Sequence, residues 1–221
     1  MTALSTSPAF GVLLVNLGTP DAPTSAGVRK YLKEFLSDSR VVDVNPWLWQ
    51  PILNLVILNL RSAKVAKLYQ KVWMDEGSPL LVLGERLCAK VGHELNAGLK
   101  DKGQMGNIPV VQAMTYGTPS IDSGMNVLRD AGVDNILVLP MYPQFSATTT
   151  AAVYDKLMAG LKRCSDWPSL TLLHDYADHP LYVSALANSI RRQWQQQGEK
   201  RHLVFSYHGI PKRYVDQGDP Y

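Results

Sequence analysis

Five short apolar runs alternate along the chain with longer stretches of helical period. Residues 9–18 (AFGVLLVNLG), 108–117 (IPVVQAMTYG), 135–143 (NILVLPMYP), 170–176 (LTLLHDY) and 202–209 (HLVFSYHG) are dense in Val, Ile and Leu without clean alternation. Strands read this way when both faces of a parallel sheet are covered. Between them the spacing predicts helices over 25–37, 80–99, 120–131, 148–163 and 180–197, with Thr24 at an N-cap position and Pro180 near a helix start. Strand-helix alternation implies right-handed βαβ units and an α/β fold. No internal sequence repeat is present.

In an open parallel sheet, ligands bind outside the carboxyl ends of the strands. The expected ends are Leu17-Gly18-Thr19-Pro20, Thr115-Tyr116-Gly117, Pro140-Met141-Tyr142-Pro143 and Tyr207-His208-Gly209. They are apolar, aromatic and rich in Gly and Pro, and they contain neither G-x-G-x-x-G nor a phosphate-loop lysine. A flat apolar ligand fits them better than a dinucleotide or a nucleoside triphosphate. Residues 45–60 (NPWLWQPILNLVILNL) are apolar on nearly every face yet too short to span a bilayer. They read either as a buried helix or as an apolar lip over a cleft that touches a membrane surface. Arg61, Lys64, Lys67 and Lys71 follow at helical spacing and read first as a solvated face.

Composition narrows the classes. With 46% apolar and 19% charged residues the chain is an ordinary globular one, and its net charge of +3 is too mild to indicate a nucleic-acid partner. Cys88 and Cys164 lie far apart and are expected as two buried thiols, since no metal-ligand or disulfide spacing joins them. The first residues lack the basic and apolar regions of a secretory signal, so a cytoplasmic location is expected. Among the histidines, His93 and His202 read as surface and strand-start residues, and His174 and His179 as structural. His208 stands apart: it sits at an expected strand end, beside Gly209, with Pro211 stiffening the exit. A neutral imidazole there can accept a proton or bind a divalent metal. Ser206 lacks the surroundings of a serine nucleophile. Asp219, in a Gly-Asp-Pro turn, is expected to bond loop amides.

Taken together, Ser206-x-His208-Gly209-Ile210-Pro211 followed by Gly218-Asp219-x-Tyr221 resembles the signature of the ferrochelatases, which insert ferrous iron into a porphyrin. The resemblance extends in order through GVLLVNLGTPDAP (11–23), EGSPL (76–80) and MYPQFSATTT (141–150), and so covers the chain from about residue 11 to residue 221. It implies that His208 is the family's active-site histidine, acting as proton acceptor or as ligand to the metal. It also implies that Leu17 is the apolar residue beside the macrocycle, Tyr116 an aromatic at the pocket wall and Ser78 a polar contact for a propionate. Residues 45–60 fall on the family's apolar lip, which implies peripheral membrane contact. Where animal members carry the first cysteine of an iron-sulfur cluster this chain has Ala147, so no cluster is expected and Fe²⁺ enters as substrate. Thr115 stands where animal members have arginine, and that role does not carry over.

The same resemblance implies two Rossmann-like lobes, 1–165 and 166–221, the second incomplete. The glutamate that partners the histidine in the family would lie past residue 221, and the 221-residue chain by itself is expected to be inactive. Other readings are a cobalt or nickel tetrapyrrole chelatase, in which few ligands set metal choice, and a non-catalytic tetrapyrrole or metal carrier in which His208 serves only as a ligand.

Overall fold

The computed structural model describes residues 10–103, 106–197 and 202–221. Four of the apolar runs form one parallel sheet of order β2-β1-β3-β4: β1 (Phe10–Gly18), β2 (Val110–Tyr116), β3 (Asn135–Pro140) and β4 (Ser169–Leu172). Ala9, the first residue of the expected opening strand, lies outside the described residues. β1 is central and pairs on both sides, with Val12 opposite both Val110 and Leu137. Successive β1 residues therefore meet different layers. Leu13 and Val15 pack with Ala113 and Val138 beneath α5 (Ile121–Asp130) and α6 (Thr150–Leu161), through Leu128, Val153 and Leu157. Val12 and Leu14 face the other way, onto Cys88 and Val91 of α4 (Pro79–Asp101). Gly124 lets α5 sit against the sheet, because a Cβ there would lie 2.7 Å from Leu13 Cδ1.

The expected helices form within one or two residues of their predicted ends. α1 spans Ser25–Leu36, and its Thr24 cap accepts from the Gly27 amide at 3.2 Å. The 45–60 run opens a helical stretch made of α2 (Pro46–Ile52), a π-turn over Leu53–Ile57 and α3 (Leu58–Val72). The Leu58 amide donates to Leu53 O, the wide i→i−5 bond of such a turn, just after Pro51 has removed a donor from the ladder. Arg29 of α1 braces the turn, donating to Asn59 Oδ1 (2.7 Å) and to the Asn54 carbonyl (3.3 Å). The two asparagines that interrupt the apolar run thus hold it to α1. α7 (Pro180–Gln197) and the short α8 (Lys212–Asp216) complete the described elements.

Three expectations are corrected. The run 202–209 forms no strand, and residues 202–210 carry no regular structure. A strand exists only by pairing, and this run finds no neighbour among the described residues, which leaves Val204 82% exposed. The run at 170–176 forms a strand only over Ser169–Leu172, which pairs with β3 as the fourth strand of the same sheet. Cys88 is buried as expected, but Cys164 is exposed, because it lies past the end of α6, where the chain has left the core.

Candidate functional site

The carboxyl ends of β1 and β2 hold three of the sequence-predicted site residues. Gly18 closes β1 at φ +122, and a Cβ there would stand 1.8 Å from the Tyr116 carbonyl oxygen, so the first loop and the end of β2 touch backbone to backbone. Leu17 is half-buried and its amide donates to Asn16 Oδ1. The buried hydroxyls of Thr19 and Ser78 bond at 2.7 Å, tying the loop after β1 to the start of α4.

Tyr116 is wholly buried. Its ring meets the edge of Phe35 at 5.2 Å and carries Lys156 Nζ at 4.8 Å, while its hydroxyl donates to Asp38 Oδ2 at 2.8 Å. Desolvation first, and the Asp38 carboxylate second, push its ionisation far above the ordinary tyrosine range. Burial does the same to Tyr31 and Tyr142. The sheaf of phenols at this end of the sheet is therefore neutral, and it hydrogen-bonds and packs without carrying charge. Around it Glu34 accepts from the Gly117 amide (2.9 Å) and from Lys156 (2.8 Å). The segment between α1 and α2 covers Tyr116 from above, through Asp38 and through Arg40, which pairs with Asp155 at 2.7 Å.

His208 lies outside the ends of β3 and β4. It is exposed and lines a cavity of ≈ 670 Å³ together with Phe145, His174, Asp175, Asp178 and Tyr221. Among the described residues no hydrogen bond engages its ring. The segment that bears it is fixed from behind. Buried Asp219 accepts with Oδ2 from Ser146 Oγ (2.9 Å) and the Ala147 amide (2.7 Å), and with Oδ1 from the Tyr221 amide (3.1 Å). The expected structural role of Asp219 is met in this form. Tyr214 of α8 is buried as well, and Arg213 reaches Asp43.

Leu17, Ser78 and Tyr116 thus gather at the ends of β1 and β2, and none of them lines the His208 cavity. The 141–150 segment spans the gap: Tyr142 packs on the core, Phe145 lines the cavity and Ser146 and Ala147 hold Asp219. In a sheet of this order the reversal between β1 and β3 opens a crevice at the carboxyl ends, flanked here by the first loop and by 141–150.

His174 and Asp175 were not among the predicted site residues. His174 stacks on Phe145 with ring centroids 4.1 Å apart and planes 4° from parallel, and its Nδ1 bonds the Asp175 carboxylate. The rule that singled out the other strand ends points to this pair too, since they follow β4. Among the described residues no three His, Cys, Asp or Glu side chains are arranged to hold a metal ion. The smaller cavity, ≈ 390 Å³, lies at the opposite, amino end of the sheet between α5 and α6 and contains none of the predicted residues.

The family model described as Ferrochelatase matches residues 9–221. The ferrochelatase of Marinomonas sp. (strain MWYL1) is 67% identical over 212 residues, 96% of this chain and 63% of that protein. Ferrochelatase 1 of Shewanella oneidensis is 51% identical over 217 residues, and the ferrochelatase of Vibrio vulnificus (strain YJ016) 53% identical over 211. The chain spans 63–64% of the length of these curated relatives.

Proposed function

Because the chain belongs to the ferrochelatase family, we propose that the protein inserts Fe²⁺ into protoporphyrin IX to give protohaem, with ring and metal both as substrates. The observation that carries this reading is the placement of His208, an imidazole free of intrachain hydrogen bonds among the described residues, on a cleft of ≈ 670 Å³. That volume falls within the roughly 300–1,000 Å³ of small-ligand sites.

Insertion exchanges two pyrrole protons for one divalent ion, so a base must stand where the ring meets the metal. A neutral His208 offers a lone pair for a pyrrole proton or for the ion itself. In this reading Leu17 packs against the macrocycle and Ser78 gives up its Thr19 partner to donate to a propionate. Tyr116, neutral and held by Asp38, forms the wall once the 37–45 segment moves aside. No iron-sulfur cluster belongs to the proposal, because alanine at position 147 has no thiolate to ligate one.

The apolar helix from residue 46 rests peripherally on a membrane in this reading, and the protein works in the cytoplasm. No helix among the described residues is long and apolar enough to cross a membrane. Residues 166–221 are assigned to a second lobe in this reading, with β4 pairing back onto β3.

The test is His208→Ala in the native protein, with anaerobic metallation of protoporphyrin followed by absorbance. Insertion is expected to fall by about a hundredfold or more, the usual scale for loss of a positioned base. Insertion near the wild-type rate removes His208 from the chemistry. Faster metallation with cobalt or nickel of a less oxidised tetrapyrrole would reassign the substrate.

A further inference from the structure

His208 can take one of the two protons that leave the ring, and the cavity presents a second acceptor. We propose that His174, oriented by Asp175, is that second proton acceptor; the inference rests on the metallation reading above.

Three observations support it. His174 and His208 line the same cavity, although they come from segments more than thirty residues apart. The Asp175 carboxylate bonds His174 Nδ1, and a carboxylate at that nitrogen keeps the proton there and leaves Nε2 with its lone pair. Parallel stacking on Phe145, with centroids at 4.1 Å, fixes the ring plane, so the imidazole is held by an edge and by a face. That much constraint on an exposed ring suits a group whose direction matters. The balance is simple: each pyrrole N–H bond breaks heterolytically, its electron pair stays on the ring nitrogen to bind the ion, and the two protons pass to His208 and His174 and then to water. Asp175 acts as a positioning residue.

The experiment compares His174→Ala, His174→Phe and Asp175→Asn with wild type in the native protein, using protoporphyrin with ferrous iron and, separately, with zinc. His174→Ala is expected to lower kcat about tenfold or more while KM for the porphyrin changes little, and added imidazole should restore a good part of the rate. His174→Phe keeps the stack on Phe145 and should be as slow as the alanine variant. Asp175→Asn frees the tautomer and should lower kcat with the ring still in place. A His174→Ala enzyme as fast as wild type, a His174→Phe enzyme restored by packing alone, or no response to imidazole overturns the inference. Wild-type protein that binds porphyrin without metallating it overturns instead the function on which the inference rests, and the inference with it.

Discussion

Asp219 ties two chemically distinct segments together. Its carboxylate receives Ser146 Oγ and the Ala147 amide on one oxygen and the Tyr221 amide on the other. Buried donors that lose such an acceptor cost about 1–3 kcal/mol each. Asp219→Ala is therefore expected to release the His-Gly segment locally, with faster amide exchange at Ala147 and across Lys212–Asp216, while the sheet keeps its protection. Unchanged exchange at Ala147 would show that the bond contributes nothing. The role of Asp219 was legible from its Gly-Asp-Pro setting, but its partners were not, because Ser146 lies 73 residues away. His174 was hidden for a related reason. A single histidine at the end of an apolar run carries no signal of direction, and the stacked Phe145, 29 positions earlier in the sequence, gives it one.

At the scale of elements, the four sheet strands and the amphipathic helices were legible because burial on both faces leaves uninterrupted Val, Ile and Leu, and one-sided burial leaves helical spacing. The run 202–209 has the same composition without the structure, since pairing belongs to a neighbour and not to the run itself. The 45–60 stretch was ambiguous, and its faces differ in the structure: Leu53 and Leu58 are fully buried, whereas Trp47 is 89% and Leu55 72% exposed. Arg61, Lys64, Lys67 and Lys71 are all exposed on the following turns. An apolar face beside cations is expected to bind vesicles containing anionic lipid, more weakly at high salt. Replacing Trp47 and Leu55 together by serine should weaken vesicle binding at least tenfold, because each buried apolar side chain is worth on the order of 1.5–3 kcal/mol. Salt-sensitive binding that the double substitution leaves untouched would mean that cations alone make the contact.

Across the whole molecule, one property of the site end of the sheet reaches global stability. Tyr31, Tyr116 and Tyr142 are all held neutral, chiefly by desolvation, and burial pushes Tyr176 up to about 12. In the unfolded chain these phenols ionise at their ordinary value of 10.0. Below that pH both states keep their protons, and the tyrosines impose no pH dependence. Above it the unfolded chain sheds protons that the folded chain retains, so unfolding gains from every further rise in pH. Each tyrosine so held removes roughly 1.4 kcal/mol of stability per pH unit above its unfolded value. Urea midpoints should therefore be flat with respect to these groups up to about pH 9–10 and fall steeply beyond. Phenolate absorbance should rise in two steps, exposed tyrosines first and the buried set only on unfolding. Tyr116→Phe is expected to remove one such contribution and shift the alkaline transition upward, at the cost of the bond to Asp38. A single smooth phenolate titration with all ten tyrosines ionising in the folded protein would contradict the sealed aromatic end of the sheet, and with it the claim that Tyr116 meets a ligand only after the 37–45 segment moves.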